Sequence, residues 1–134
     1  MIEKDFVNID NFLSKGIVKW SSPSNIALVK YWGKKNNQIP QNPSISFTLS
    51  KSLTTTSIEF KPKKNKANSI VFEFDGKKDH EFGQKIKVFI RSIEKYFNFL
   101  KNHDINIKSE NNFPHSSGIA SSASSMSALA SCLV

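Results

Sequence analysis

The sequence predicts an α+β domain in which a largely antiparallel sheet carries its helices on one face. Two observations lead to this fold class. Short segments with strand-like alternation of apolar and polar residues recur between residues 16 and 109, and polar turns separate them. Two longer segments, at 81–100 and 118–134, have helical spacing instead. The chain has 134 residues, which is enough for one modest domain with a core.

The strands are predicted from local alternation and from β-branched content. Residues 16–20 alternate, whereas the segment 21–43 that follows is too rich in Pro, Asn and Gly to be regular throughout. Asp75-Gly76 is a hairpin turn signal. The remaining strands are predicted at residues 44–49, 54–60, 69–74 and 105–109.

The two helices differ in composition. In 81–100 the apolar residues recur at three- and four-residue steps, which gives one apolar helical face. Segment 118–134 is rich in Ala, Ser and Leu, with small residues on one face for close packing. It has no C-terminal Gly, Pro or basic turn, so we expect the chain to be truncated there relative to the full protein. The sequence is thus divided into an N-terminal extension, 1–15, with a helical pattern at 5–13, and a domain, 16–134.

The composition limits the classes of partner. No apolar run approaches the ~20 residues that a membrane span needs, so we expect no membrane partner. The net charge of +8 by itself allows nucleic acid, an anionic membrane surface or phosphorylated small molecules as partners. The lysine cluster at Lys61, Lys63, Lys64 and Lys66 has no interleaved aromatic residues, and we therefore expect no nucleic-acid binding. The single Cys132 cannot form an internal disulfide, which favours a reduced, cytoplasmic setting.

Residues 111–123, NNFPHSSGIASSA, predict a phosphate-binding turn between a strand and a helix. Pro114 ends the strand because it has no backbone donor, and Gly118 lets the backbone approach a ligand closely. The free N–H groups and the dipole of the following helix favour an anion there. Serine hydroxyls would add donors, and one could coordinate the Mg²⁺ that accompanies a nucleotide. A bare Ser/Gly/Ala run could instead be a serine-capped helix packed through small residues, and the Gly-Lys-Ser/Thr element of a P-loop is missing.

Four sequence blocks carry a resemblance to a known family. The order P-x-x-x-G-I-A-S-S-A at 114–123 resembles the phosphate loop of the GHMP kinase superfamily. SPSNIALVKYWGK, at 22–34, resembles the signature A-P-x-N-I-A-x-x-K-Y-W-G-K of mevalonate diphosphate decarboxylases. IPQNPSISFTL, at 39–49, resembles their block L-P-x-N-x-S-I-S-x-T-L, and 109–114 match S-E-N-N-F-P. The departures are mild: Ser22 for Ala, Ile119 for Leu, and His115-Ser116-Ser117 for Thr-Ala-Ala.

The resemblance implies a fold and an activity. The fold would be the GHMP kinase N-terminal domain, related to ribosomal protein S5 domain 2. The activity would be the ATP-dependent decarboxylation of (R)-5-diphosphomevalonate to isopentenyl diphosphate, in the mevalonate pathway of isoprenoid biosynthesis. ATP would phosphorylate the 3-hydroxyl, and the phosphate would then leave together with CO₂. The implied partners are ATP, Mg²⁺ and diphosphomevalonate, and the full-length protein would be a cytoplasmic homodimer.

The resemblance also assigns site residues, position by position. Tyr31 and Lys34 would bind the substrate's diphosphate, and Ala27 would contribute backbone near the mevalonyl carboxylate. Trp32 and Gly33 would shape that turn. The alternative is a purely structural turn with an aromatic anchor beside a surface lysine. Lys30 is a candidate auxiliary near the reacting groups, and Ser122 a candidate Mg²⁺ ligand. The residues implied for the ATP phosphates are Ser117, Gly118, Ile119, Ala120, Ser121 and Ser122.

The resemblance covers less than half of a family chain. The family's catalytic aspartate, its Ser-x-Ser-x-x-Arg segment and its second domain belong to the C-terminal half, and none is present in this sequence. We therefore expect no catalytic residue in this chain and no decarboxylase activity from it alone. The alternatives are the nucleotide-binding half of a split enzyme, or a paralogue such as a mevalonate 3-kinase or a phosphomevalonate decarboxylase. A basic nucleic-acid binder comes last.

Overall fold

The computed structural model describes residues 5, 7, 14–30, 32–36, 39–63, 69–115 and 118–134. Within these residues the chain forms five strands, two α helices and a 3₁₀ helix. The strands are β1 (Gly16–Val29), β2 (Ile45–Pro62), β3 (Ile70–Phe74), β4 (Lys77–Lys78) and β5 (His103–Asn111). The helices are α1 (His80–Ile93), the 3₁₀ helix Asn98–Asn102, and α2 (Ser121–Ser131). Most of the helical pattern predicted at 5–13 lies outside the described residues.

The five strands form one sheet in the order β1-β2-β5-β3-β4. The pairs β1–β2, β2–β5 and β3–β4 are antiparallel, and β3–β5 is parallel. A parallel pair needs a crossover, and here β4 and α1 supply it between β3 and β5. The prediction of an α+β domain with a largely antiparallel sheet is therefore confirmed.

Both helices cover the same face of the sheet. On that face Ile58 lies opposite Ile107 and Phe60 opposite Ile105, and these side chains belong to one core cluster with residues of α1 and α2. The cluster comprises Ile58, Phe60, Phe72, Ile86, Ile90, Leu100, Ile105, Ile107, Leu129, Cys132 and Leu133. The opposite face carries solvent-exposed ion pairs, such as Lys19–Glu110 at 3.8 Å. The described residues contain no helix long and apolar enough to cross a membrane.

β1 continues nine residues beyond the stretch predicted from 16–20, through a Pro- and Asn-containing segment. The reason is its position, because an edge strand has one side with no ladder to donate to and so tolerates Pro23. Directly after Pro23 the register shifts, and the partner moves from Leu53 to Leu49. This bulge lies in the gap between the two strands predicted at 44–49 and 54–60, which are one continuous β2.

The two helices are shorter than predicted. α1 ends at Ile93 rather than at residue 100, and Leu100 reaches the core from the 3₁₀ helix instead. The three- and four-residue spacing of apolar residues continues past the end of α1, so the spacing alone could not show where the helix ends. α2 begins at Ser121 rather than at 118, because Gly118 and Ala120 have φ of 79° and 59°, outside the helical region.

Candidate functional site

The turn between β5 and α2 holds an unusual backbone conformation. Ala120 is the residue before the first helical position, and its φ of 59° and ψ of 41° are left-handed. A residue with a Cβ pays roughly 1–2 kcal/mol for that conformation. The buried Ser24 of β1 helps to hold it, because its Oγ donates a hydrogen bond to the carbonyl oxygen of Ile119.

The N-terminus of α2 is not capped by a side chain. Ala120 makes no side-chain cap, so the serine-capped helix that a bare Ser/Gly/Ala run would allow is not formed. The N–H groups of Ala123 and Ser124 both bond to the carbonyl oxygen of Ala120, at 3.1 and 3.3 Å. The two N–H groups before them, of Ser121 and Ser122, come too early in the helix to reach an intrahelical acceptor. They are available to an anion at this end of α2.

The N-terminus of α1 is different. Its cap is Asp79, whose carboxylate accepts a hydrogen bond of 2.9 Å from the N–H of Phe82. That carboxylate neutralises the positive end of the α1 dipole. Between α1 and α2, the N-terminus of α2 is therefore the better suited to a phosphate.

The first turn of α2 is seated on the sheet by hydroxyl groups. Thr54 Oγ1 and Ser124 Oγ lie 2.6 Å apart and share a hydrogen bond, and Thr54 also donates to Asn111 Oδ1 at 2.7 Å. Thr54 and Ser124 are buried. The helix start is thus linked to both β2 and the end of β5.

A first cavity of about 980 Å³ opens between the N-termini of the two helices. The end of β3 contributes Phe74, whose ring centroid lies 4.6 Å from that of His115. On α1, Glu81 and Lys85 form an ion pair of 2.8 Å, and this hydrogen bond raises the pKa of the Lys85 ammonium. The lining residues are Phe74, Asp79, Glu81, Phe82, Lys85, His115, Gly118, Ala120, Ser121, Ser122, Ala123, Ser125 and Met126.

A second cavity, of about 540 Å³, lies between the same turn and the part of the sheet where β1 ends and β2 begins. Among the described residues that line it, Lys30 is the one ionisable group, and apart from Ile26 the others are polar or small. A cavity with one cation and no carboxylate suits an anion. The lining residues are Asn25, Ile26, Ala27, Lys30, Ser44, Ser46, Gly118 and Ala120.

The two cavities share a wall, since Gly118 and Ala120 line both. Ligands bound in the two cavities would therefore meet at the backbone of the turn. This is the arrangement that a transfer of a phosphoryl group between two ligands requires.

The turn after Lys30 is a tight one. Gly33 has a φ of 92°, and a Cβ at that position would lie 3.1 Å from Gln41 Oε1. The N–H of Gln41 donates to the Gly33 carbonyl at 3.3 Å, and the backbones of Lys34 and Pro40 form an isolated antiparallel β-bridge. The backbone conformation favours glycine here, and a Cβ would in addition require a small shift of the Gln41 side chain.

The side chain of Asn42 joins the two sides of this turn. Its Oδ1 accepts from the N–H of Trp32 at 2.7 Å, and its Nδ2 donates to the carbonyl oxygens of Lys30 at 3.3 Å and Pro43 at 2.9 Å. Trp32 itself is 82% exposed. The turn is therefore held by the Asn42 amide together with backbone hydrogen bonds, rather than by burial of its aromatic residue.

The residues that the resemblance assigns fall into several groups. Ala27 and Lys30 line the second cavity, and four of the loop residues line the first: Gly118, Ala120, Ser121 and Ser122. Ile119 receives the Ser24 hydrogen bond. Trp32, Gly33 and Lys34 lie in the turn, outside the residues that line either cavity, and Tyr31 and Ser117 lie outside the described residues.

Sequence reasoning missed polar residues in both cavities. Ser44 and Ser46 lie two apart at the start of β2, and Ser46 is opposite Ala27 in the register. The alternation of serines in the block at 39–49 was a signal for this face, once β1 is known to pair with it. Asp79, Glu81 and Lys85 begin a helix far from the loop in sequence, and no local pattern points to them.

The comparisons agree with these observations. Residues 22–134 match the family model described as the diphosphomevalonate decarboxylase-like N-terminal domain. The chain is 35% identical over 123 residues to the diphosphomevalonate decarboxylase of Candida albicans, covering 84% of this chain and 34% of that protein. The mevalonate diphosphate decarboxylase structure from Staphylococcus aureus superposes with a TM-score of 0.75 at 33% identity, covering 90% of this chain and 36% of that one. A second solved structure, described as MDDEF in complex with MVAPP, AMPPCP and magnesium, superposes with a TM-score of 0.72 at 32% identity. The match covers 87% of this chain and 35% of that one.

The chain spans about a third of the length of the curated relatives it matches. The superpositions extend over most of this chain, so the fold implied by the resemblance is confirmed. The family model matches from the start of the SPSNIALVKYWGK block to the last residue. The chain therefore belongs to the diphosphomevalonate decarboxylase-like N-terminal domain family.

Proposed function

We propose that this chain forms the ATP-binding and substrate-binding part of an enzyme that decarboxylates (R)-5-diphosphomevalonate to isopentenyl diphosphate. The observation that carries the proposal is the shared wall, Gly118 and Ala120, between the two cavities. ATP in the first cavity and diphosphomevalonate in the second would place the γ-phosphate next to the acceptor hydroxyl. Two polyphosphates repel each other, and backbone N–H donors and Lys30 would offset that repulsion.

The charges of the first cavity set the direction of the nucleotide. The uncapped α2 N-terminus favours the phosphates, with the N–H groups of Ser121 and Ser122 as donors. Asp79 and Glu81, at the α1 end, would repel phosphate and could accept hydrogen bonds from the ribose hydroxyls. The nucleoside therefore lies towards α1, beside the aromatic wall that includes Phe74. Ser117 would join the phosphate donors, as the family resemblance implies.

Mg²⁺ would be held by the nucleotide's phosphates and by the hydroxyl of Ser122. The described residues contain no group of three His, Cys, Asp or Glu side chains able to hold a metal, whereas Ser122 lines the first cavity. Mg²⁺ commonly binds through few protein ligands together with phosphate oxygens and water, which fits this donor set. When bound, the ion neutralises charge on the transferring phosphoryl group.

In the second cavity Lys30 would bind an anionic group of the substrate, and the hydroxyls of Ser44 and Ser46 would donate to it. Ala27 lines the same space. Tyr31 and Lys34 are proposed, from the family resemblance, to hold the diphosphate, with Trp32 and Gly33 shaping the turn.

The chemistry needs more than this chain. Hydroxide is a poor leaving group, and phosphorylation of the 3-hydroxyl turns it into a good one that can depart as CO₂ is lost. Removing the hydroxyl proton needs a base within hydrogen-bond reach. Of the described carboxylates that line the two cavities, Asp79 caps α1 and Glu81 pairs with Lys85, so neither is a free base beside the shared wall. The complete activity, like the cytoplasmic setting and the homodimer, is proposed for the full-length protein.

One observation favours a second form of this proposal, a nucleotide-binding half that works with a separately supplied remainder. The described residues between Ser24 and Leu49, here called the β1–β2 arm, expose large apolar side chains. Trp32 is 82% exposed, Leu28 68% and Ile45 59%. Apolar surface of this kind is typical of a contact with another part of a protein.

The proposal is tested by calorimetric titration of the purified chain with ATP and Mg²⁺, followed by an assay for ATP-dependent CO₂ release. We expect nucleotide binding without turnover, and turnover once the remaining part of a family enzyme is supplied. Absence of nucleotide binding would refute the role of the first cavity. Clear CO₂ release by the chain alone would show that the missing base is present after all.

A further inference from the structure

We propose that Asn42 is a positioning residue that sets the geometry of the substrate site without touching the substrate. This inference rests on the proposed function of the second cavity. Asn42 lines neither cavity. Its side chain instead joins the β1 side of the arm to the β2 side, and both sides supply residues to the second cavity.

The hydrogen bonds of Asn42 bracket position 31. The amide oxygen accepts from the N–H of Trp32 at 2.7 Å, and the amide nitrogen donates to the carbonyl oxygen of Lys30 at 3.3 Å. The backbone is thus held at Lys30 and at Trp32, which flank in sequence the position to which the family resemblance assigns the diphosphate. A side-chain amide offers an acceptor and a donor together, whereas a carboxylate offers acceptors only.

The same amide also fixes the start of β2. Its nitrogen donates to the carbonyl oxygen of Pro43 at 2.9 Å, one residue before Ser44. Ser44 and Ser46 line the second cavity together with Lys30 and Ala27, and Ser46 lies opposite Ala27 in the register. Asn42 therefore adds to the β1–β2 ladder a side-chain link between Lys30 and the residue before Ser44, and so helps to position the hydroxyls relative to the cation that follows β1.

Loss of the amide should affect the site and spare the fold. The turn is tight at Gly33 and is exposed to solvent around it, with Trp32 82% exposed, so burial does not hold it in place. Asn42 is also absent from the core cluster and from the residues packed against it. The nucleotide cavity contains no residue of the arm.

The test compares two asparagines of the same turn. Asn36 is exposed, and no hydrogen bond of its side chain is found within the described residues. Asn42→Ala and Asn36→Ala are compared first, and then Asn42→Asp with Asn36→Asp, so that the added negative charge is matched. Each variant is titrated calorimetrically with (R)-5-diphosphomevalonate and separately with ATP and Mg²⁺. Thermal unfolding, and hydrogen exchange of the Trp32 amide by NMR, report the fold and the local structure.

For both Asn42 variants we expect substrate affinity at least tenfold lower, ATP affinity within twofold of the unsubstituted chain, an unchanged Tm and faster exchange of the Trp32 amide. The Asn36 variants should match the unsubstituted chain, except for a small charge effect in Asn36→Asp. If the chain binds the substrate and the Asn42 variants bind it equally well, the positioning role is overturned while the proposed function stands. If the unsubstituted chain binds ATP but not the substrate, the proposed substrate site is refuted, and the role of Asn42 with it.

Discussion

The hydroxyl of Thr54 makes a sharp test of how α2 is attached to the sheet. It is fully buried, donates to Asn111 Oδ1 at 2.7 Å and lies 2.6 Å from Ser124 Oγ. Thr54→Val replaces the hydroxyl with a methyl group of similar size, so no cavity forms and the cost comes from the polar partners. Ser124 keeps the carbonyl oxygen of Ser121 as an acceptor at 3.0 Å, whereas Asn111 loses its donor.

A buried polar group that loses its partner costs about 1–3 kcal/mol, and the second hydrogen bond adds a smaller amount. We therefore expect the free energy of unfolding to fall by about 2–3 kcal/mol. For a domain of this length, each kcal/mol lowers Tm by roughly 4 °C. Urea unfolding followed by circular dichroism measures the change, and the m-value should stay constant because the exposed area does not change.

The matched control is Thr55→Val, one residue along β2 and facing the opposite side of the sheet. The Thr55 hydroxyl shares an exposed hydrogen bond of 2.8 Å with Ser21 Oγ. Water replaces an exposed partner, so this variant should change stability by less than about 0.5 kcal/mol. Equal stabilities for the two variants would refute the reasoning, since burial of the hydroxyl would then have no consequence.

Three further predictions concern the site and the pH dependence. Gly118→Val should weaken ATP binding and lower Tm by roughly 4–8 °C, because the φ of 79° strains any side chain even though nothing lies within 4 Å of the new Cβ; unchanged affinity in a titration would contradict this. Lys30→Met should lower diphosphomevalonate affinity by about 10- to 100-fold, the equivalent of one charge-assisted hydrogen bond, and leave ATP affinity unchanged in the same assay. Burial raises the pKa of the Cys132 thiol, so only the unfolded chain ionises as pH rises through the ordinary thiol value of about 8.5. The free energy of unfolding should therefore decline between pH 8 and 10, and Cys132→Ala should abolish that decline in urea unfolding measured across the range.

Signals confined to a few neighbouring residues predicted the structure well. Asp75-Gly76 gave the β3–β4 hairpin, and its two positive φ values, 46° and 73°, are those of the tight turn that the dipeptide favours. The segment containing Pro23 was not predicted as a strand, but β1 continues through it. The effect of a proline on a strand depends on whether that strand lies at the edge of the sheet. That position is set by pairing with β2, more than twenty residues further along the chain. Local patterns cannot contain this information.

The candidate site divides in the same way. The motif blocks pointed to Gly118 and Lys30, and both line a cavity. The motif alone could not show that the loop is held by Ser24, because that contact joins residues 95 positions apart. It also could not show that charged residues of α1 line the first cavity, since they lie far from the loop in the sequence.

The buried face of the sheet changes character along the strands, and this change explains why phosphate would bind at one end. β2 and β5 bury Phe60 and Ile105 at one end, but Thr56 and Ser109 towards the other, where their hydroxyls lie 3.0 Å apart. The hydroxyl-lined end lies beneath α2, whose small residues allow close approach to the sheet. Hydroxyls satisfy buried backbone and amide groups without bringing a charge. A carboxylate in the same place would neutralise the positive end of the α2 dipole, as Asp79 does for α1. Neutral packing beneath α2 therefore leaves its N-terminus able to attract an anion.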